Sequence, residues 1–505
     1  MTTRGSGLEL FELAALVAFA AVSVWVLGLD LWQAVVHDRH WTGTDGLFLT
    51  DQMQYLAWIQ DASRHGLASD LFVLHRTPTD YFQPLVAISG AIAALGVAPW
   101  LVLLLWKPVA VVSAFFVTRS FARRSLSGRW ERRAALLLGL FFGSWGVLGD
   151  LWLPLWSWGY PFGLIAIAAL GGAILLYDRA RTENRLAWGP PLLGALSSSL
   201  HPWQGETLIL IILGAELATR RRGGPDRRRT LALPVATVVA TAIPLLYLAL
   251  LGRVDLWWRL ARDASHHSFP LASILVALAP LLAASAFSYW GRPRSFLATA
   301  TRAWPLAALV VYAVSATSLS ATPLHAFAGI TLPLGVLGVQ GVQRLGWGRV
   351  PGRLALGALA VVAATIPASV YEMSVASRYM APAVGNANFV STDMGRALGY
   401  LRSDREPGGV LTRAYLGVIV PGITGRNTYV GGCQWSQPNC AGRVTGAAKL
   451  FEGALTPPAA RAFVLGTTAR FVLSGCGWRD DVPATLAPIT RSLHRFGCAT
   501  VIEVR

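Results

Sequence analysis

Apolar runs of about 17 to 25 residues, separated by short polar stretches, recur from about residue 8 to residue 372. A run of that length spans a bilayer core as a helix. Eleven spans are expected, near 10–35, 99–118, 134–150, 161–177, 187–201, 204–219, 231–251, 270–288, 303–320, 325–343 and 353–372. The fifth and sixth are short and meet at His201-Pro202, which predicts a broken or tilted pair. The first run, from about Leu8 to Val36, is too long for a signal peptide and has no obvious small-residue cleavage site, so it is expected to stay as a helix.

The pattern changes after Tyr371, where no further run is long enough to span. The segments beginning at Gly409 (GVLTRAY), Arg426 (RNTYVGG), Ala469 (ARFVLSG) and Ala499 (ATVIEVR) read as strands. STDMGRALGYLRSD opens with Ser391, Thr392 and Asp393, residues suited to a helix N-cap, ahead of a helical periodicity. This mixture predicts a small α/β domain over residues 373–505. Residues 1–372 form the transmembrane domain, with a large first loop over 37–98.

Charge fixes the orientation. Of the 43 basic residues only Lys107 and Lys449 are lysines, and the arginines gather in short loops between spans. With the N-terminus inside, twenty-two arginines fall on the inner side, Arg4, Arg222, Arg227, Arg228, Arg229 and Arg349 among them; six fall in outer loops before Ala321. That asymmetry is the positive-inside pattern of cytoplasmic loops. It makes the N-terminus cytoplasmic and the terminal domain extracytoplasmic. It also excludes one more crossing: PLVAISGAIAALGVAPW, Pro84 to Trp100, would put the 119–133 arginines outside, so it is expected to lie in the outer interface. The net charge of +17 is thereby explained without nucleic acid, for which the chain offers no aromatic-and-basic face. With 14% charged residues the chain is far from a soluble composition, and the lipid bilayer is its first partner. No Walker A loop or Rossmann glycine fingerprint is present.

All four cysteines, Cys433, Cys440, Cys476 and Cys498, lie in the terminal domain. An even number confined to an outer domain fits disulfides. Zinc is the alternative, but the spacings contain no C-x₂-C pair. Of the three pairings, Cys433–Cys440 with Cys476–Cys498 closes the shortest loops and is the one expected.

Much of the candidate chemistry sits in TDQMQYLAWIQDASRHG, Thr50 to Gly66, in the first outer loop. Drawn as a helix, Asp51, Tyr55 and Trp58 share a face, and Asp61 is rotated away from it. A carboxylate beside aromatic rings at the membrane face suits a general base. The competing reading is a capped surface helix whose aromatics anchor in headgroups. Asp150, before an aromatic stretch holding Trp152, Trp156, Trp158 and Tyr160, offers a second carboxylate; the tryptophans suit either sugar stacking or an interface belt. Lys107 stands inside an apolar run, where a charge faces a cavity, a donor phosphate or, by snorkelling, the interface. His201, Glu206, His266, His267, His325 and Arg378 map near the outer face, where they suit a phosphate headgroup or, for the histidines and Glu206, a metal, and no pair has a strong metal-ligand spacing.

The large loop after the first span, with an early acidic residue and interfacial helices, resembles the GT-C superfamily of membrane glycosyltransferases, which includes the protein mannosyltransferases. GVIVPGITGRNTYVGG, Gly417 to Gly432, is similar to a segment of the outer domain of bacterial members, and SLHPWQGE to a His-Pro turn in some of them. The resemblance implies a GT-C-like polytopic α-helical membrane protein of about eleven spans in the cell membrane, with a C-terminal extracytoplasmic α/β domain. It implies transfer of a sugar from a polyprenyl-phosphate-linked donor to a glycan, lipid or protein acceptor, with Asp51 as base. Many relatives carry two adjacent acidic residues at this point, whereas this chain has Asp51-Gln52. No cofactor or metal is therefore assigned, although a divalent metal is compatible with the chemistry. The rival function is a transporter or flippase of a lipid-linked glycan; the spans show no obvious inverted repeat of the kind many transporters have.

Overall fold

The structure, a computed structural model, describes residues 7–505 apart from 38, 46, 147, 222–230, 317–321, 348, 349, 351, 384 and 477–480. Arg4, Arg222, Arg227, Arg228, Arg229 and Arg349 of the arginine count lie outside the described residues. Among the described residues six helices are long and apolar enough to cross a membrane: Leu10–Val36, Pro99–Ser125, Pro161–Thr182, Ala232–Val254, Phe296–Val314 and Arg353–Met380. Leu271–Ala277 and Ala279–Trp290, bent by 76° at their junction, make a seventh if read as one broken span.

The other four expected spans are helices of a different kind. Arg129–Phe141, Gly189–Leu200 and Thr331–Arg344 have 13, 12 and 14 residues. At about 1.5 Å per residue these three reach about 20 Å, so a crossing of a core of about 30 Å takes in the residues at their ends. Pro202–Arg221 has 20 residues but carries Gln204, Glu206 and Glu216. All four are packed against protein over much of their length.

The chain divides into two compact units. The first comprises Met1–Trp25, Trp106–Ala249 and His266–Ser374. Its central element is the Pro161–Thr182 helix, in which Leu164, Leu170, Ala173, Ile174 and Tyr177 are fully buried. Phe121, Leu208, Ile211, Trp304 and Leu332 belong to the core cluster around it. Small residues let the backbones meet, as is usual between membrane helices: a Cβ on Gly341 would stand 1.9 Å from the carbonyl oxygen of Ala284. Among the described residues the one buried acid in this core, Glu216, is neutralised. It accepts from the Tyr177 hydroxyl at 2.9 Å, Arg181 at 2.8 Å and Arg220 at 2.9 Å.

The second unit comprises Val26–Leu105, Leu250–Ser265 and Val375–Arg505, so the first large loop and the terminal region fold together. Strand β1 (His40–Trp41) pairs antiparallel with β2 (Phe389–Val390). Beside them Thr44 donates to Asn388, whose amide donates to the buried Asp30 at 2.9 Å. Strands β3 (Val410–Leu411), β4 (Phe471–Ser474), β5 (Thr490–Phe496) and β6 (Ala499–Val504) form a sheet in the order β3-β4-β6-β5. The β3–β4 pair is parallel and the other two antiparallel. Ser391 caps the Thr392–Ser403 helix through the Met394 amide.

Two segments depart from the expected strands. RNTYVGG forms only an isolated bridge, Thr428 to Val410, because its other backbone bonds go elsewhere: Thr428 donates to Leu71 at 2.9 Å. TRSLHRF is a strand that the sequence reading left unassigned; its burial alternates and its outer positions carry Arg491, Leu493 and Arg495. Cys433 bonds to Cys440 and Cys476 to Cys498, the pairing with the shortest loops.

Candidate active site

Asp51 stands in the first turn of the Leu49–His65 helix, half-buried. The Gly431–Gly432 turn makes room beside it: a Cβ on Gly432 would lie 2.3 Å from the Thr50 methyl. That close approach brings Gln434 over the helix start. Its amide nitrogen lies 3.4 Å from Asp51 Oδ1 and 3.2 Å from Gln54 Oε1. Tyr55, one turn on, feels the Asp51 charge; burial first, and then that charge, push its phenol well above the ordinary value, while a bond to Gln83 pulls the other way. Gln52, where two-acid relatives would have a second carboxylate, accepts instead from the Asp45 amide at 3.0 Å.

The expected face of the helix continues into an aromatic wall. Tyr55 meets Trp58 edge-on at 5.6 Å between centroids. Trp58 then meets Tyr81 at 4.5 Å, Trp258 at 5.5 Å and Trp435 at 5.3 Å. Tyr81 stacks on Trp258 at 4.3 Å, and Trp258 meets Trp435 at 5.1 Å. Each ring comes from a different local signal. Trp258 sits on the Leu256–Ala264 helix, N-capped by Asp255 through the Trp257 amide. Trp435 sits inside the Cys433–Cys440 loop. Tyr81 is fixed by its two-way backbone bridge to Ala68. Sequence reasoning missed all three, together with Gln434. The amphipathic LWWRLARDA stretch and the tryptophan enclosed by a short disulfide were the available signals.

Three further carboxyls lie in the same unit. Asp80 accepts from the Trp258 indole and shares a hydrogen bond with Asp255; burial and the Asp255 charge raise its pKa. Asp70 is 4% exposed. One of its oxygens accepts from the Phe72 amide at 2.8 Å, and the other is buried with no partner. Burial is the main reason its pKa rises to about 7, helped by the Asp255 charge and opposed by the Phe72 bond and Arg443. Among the described residues the one group of three that meets at metal-binding distance is Asp393, Cys476 and Cys498, and both of its sulfurs are spent in the disulfide.

Asp61 does not behave as a free residue on the far face. It is 5% exposed and holds the turn after its helix. It accepts from the Ser69 amide and hydroxyl at 2.7 Å each and bonds His65 at 2.8 Å.

In the first unit the structure gathers several of the other sequence candidates around residues 149–160. His325 Nε2 lies 3.5 Å from Asp150. The ring centroids of His201 and His325 are 5.1 Å apart, and Trp156 and Trp203 close the group. Both ring nitrogens of His201 are buried without a partner. Lys107 donates to the carbonyls of Ser157 at 2.7 Å and Trp158 at 2.8 Å, so its ammonium braces the end of the Leu153–Gly159 helix. Trp152, Trp156 and Trp158 are buried against protein, which overturns the interface-belt reading of these three. Trp158 also donates to Val22 at 3.0 Å. His266 and His267 are exposed beyond the Leu256–Ala264 helix, and Arg378 is exposed in the last turn of Arg353–Met380.

No family model matches the sequence, and no curated protein matches it. Solved structures do match. The oligosaccharyltransferase of Archaeoglobus fulgidus in its apo form superposes with a TM-score of 0.53 at 16% identity, covering 92% of this chain and 69% of that one. The same archaeal enzyme, AglB, in complex with an inhibitory peptide and a dolichol-phosphate gives 0.53 at 15% identity over the same shares. ArnT from Cupriavidus metallidurans bound to undecaprenyl phosphate gives 0.52 at 14% identity, covering 96% of this chain and 97% of that one. The chain has the GT-C fold. At these identities the likeness is one of architecture. Asp51 and its aromatic wall come from the first large loop, the Leu250–Ser265 segment and the terminal region, in a single unit.

Proposed function

We propose that the protein transfers a sugar from a polyprenyl-phosphate-linked donor to an acceptor hydroxyl at the extracytoplasmic face of the cell membrane. The observation that carries this reading is the Asp51 carboxylate, half-buried at a helix start beside two glutamine amides and on the face that runs into the aromatic wall. The GT-C fold supports it, because AglB and ArnT are seen with dolichol-phosphate and undecaprenyl phosphate.

In this mechanism Asp51 takes the proton of the acceptor hydroxyl as its oxygen bonds to the anomeric carbon. The bond between that carbon and the phosphate oxygen breaks, and polyprenyl phosphate leaves with the electron pair. The phosphate already bears charge well, so a strong general acid is less necessary. Gln434, whose amide is also held by Gln54, orients the carboxylate, and Trp58, Tyr81, Trp258 and Trp435 offer apolar faces for the sugar or the first prenyl units. The topology is N-terminus inside and residues 373–505 outside, supported by the arginine asymmetry and by two disulfides in the terminal domain.

The test is Asp51→Asn in the full-length protein, assayed for transfer from a polyprenyl-phosphate sugar. Loss of a general base lowers the rate by about a hundredfold or more while donor binding persists. Asp263→Asn, an exposed residue paired with Arg262, is the control. The buried, triply bonded Asp61 is unsuited to that role. Near-normal transfer by the Asp51 variant, with loss on Asp150→Asn, moves the base to the Asp150–His325 group. Movement of lipid-linked sugar across the bilayer with no new glycosidic bond favours the transporter.

A further inference from the structure

The first unit contains a cationic cleft that the proposed chemistry does not use. It is a shallow cleft open to solvent, lined by Arg119, Arg123, Arg129, Arg132 and Arg133 with Glu9 and Glu12. Three elements build it: the start of the Leu10–Val36 helix, the end of Pro99–Ser125 and the start of Arg129–Phe141. The first two are membrane-crossing candidates, so the cleft lies at the end of two spans, at headgroup depth.

The charges inside do not balance. Glu12 pairs with Arg119 at 2.9 Å, and Glu9 with Arg129 at 3.0 Å and Arg133 at 3.2 Å. Among the described residues no ion pair holds Arg123 or Arg132. Two acids therefore face five guanidinium groups. The Nε–H groups of Arg119 and Arg133 are buried with no acceptor. The Arg133 guanidinium is flanked by Phe11 at 4.9 Å and Trp130 at 4.7 Å, which holds its plane and leaves its edge as the polar face. Buried guanidinium donors left without acceptors are costly, and an oxyanion with several lone pairs answers that cost.

We infer that this cleft binds the phosphate headgroup of an anionic phospholipid, with Arg123 and Arg132 as the groups that contact it. A phosphodiester offers tetrahedral oxygens to converging guanidinium donors. Its acyl chains would lie along the apolar outer faces of the two span ends, where Leu13 and Val17 on the first helix and Phe116 on the second are exposed. The same cleft would accept a free phosphate ester, so the test separates the two sources. The lipid reading is favoured because the cleft sits at span ends, where juxtamembrane arginines meet a surface rich in headgroups.

The experiment uses the full-length protein in nanodiscs of phosphatidylcholine, with or without about one-fifth phosphatidylglycerol. Thermal unfolding and native mass spectrometry are read together. Phosphatidylglycerol raises the unfolding midpoint by at least about 2 °C and leaves a retained lipid adduct. The variant Arg123→Gln/Arg132→Gln loses most of that shift and the adduct. Arg292→Gln/Arg294→Gln, which removes the same charge from exposed positions outside the cleft, keeps both. Equal unfolding midpoints in the two kinds of disc overturn the proposal, as does an equal loss in the control variant. If millimolar glycerol phosphate in pure phosphatidylcholine discs gives the same shift, the site takes a soluble anion and the lipid assignment is wrong.

Discussion

Asp70 makes the stability of the second unit depend on pH in a direction opposite to that of a paired carboxylate. Its side chain is almost wholly enclosed, one oxygen has no partner, and its pKa rises from 3.8 to about 7. In the unfolded chain the group loses its proton near 3.8; in the folded protein it keeps it to about 7. Between those values the folded state binds more protons, so stability falls as pH rises and levels off above about 7. The difference corresponds to about 4 kcal/mol, close to the whole burial penalty because so little of the group is exposed. Asp70→Asn removes the titration. Asparagine can still accept from the Phe72 amide, but it puts an unpartnered NH₂ where the free oxygen lies, at a cost of about 1–3 kcal/mol. The variant is therefore less stable than the parent near pH 4 and more stable near pH 8, and the two stability curves cross. Thermal unfolding of both proteins in detergent, followed by tryptophan fluorescence from pH 4 to pH 8, reads this directly. Parallel curves with no crossing would refute the assignment of a buried, protonated carboxyl at this position.

The two disulfides separate stability from site geometry. Removing Cys476–Cys498, 22 residues apart, costs about 3 kcal/mol by loop closure, against about 2 kcal/mol for Cys433–Cys440, 7 residues apart; urea unfolding of the two double-serine variants gives the order. The shorter loop carries Gln434 and Trp435, so its loss lowers sugar transfer more than stability, as a transfer assay on the same pair of variants checks. Trp258→Ala strips the wall of the ring that touches Trp58, Tyr81 and Trp435, and transfer falls by about tenfold or more while a circular dichroism spectrum stays helical. Gly341→Ala forces a methyl against the Ala284 carbonyl and lowers the unfolding midpoint of the first unit by an amount equivalent to about 1–3 kcal/mol or more. An alkaline phosphatase reporter fused after Arg505 is active; a cytoplasmic reporter at the same point is not.

The helical segments were legible because apolar runs and arginine-rich breaks are local properties of the chain. All eleven expected spans are helices, yet composition did not separate helices bathed in lipid from those enclosed by protein. Gly189–Leu200 and Thr331–Arg344 are apolar because they face other helices, and only packing shows that. Asp51, Tyr55 and Trp58 were found together because a helix repeats every 3.6 residues and all three lie within eight positions. Periodicity also put Asp61 on another face, but it gives a direction around the helix, not what packs there, and Ser69 and His65 enclose it. The strand TRSLHRF was hidden because two of its three outward positions are arginines and its inward ones are only partly buried. The rest of the wall came from Tyr81, Trp258 and Trp435, which no spacing rule relates. Their meeting is decided by long-range contacts, by an Asp-capped helix, and by a glycine at 432 that lets one loop settle onto the start of the Asp51 helix. The sequence by itself determined which stretches are helical, where the positive charge lies and that Asp51, Tyr55 and Trp58 share a helix face. Tertiary structure alone decided which rings surround it, because side chains distant in sequence become neighbours only when burial of their apolar surfaces offsets the entropy of bringing them together.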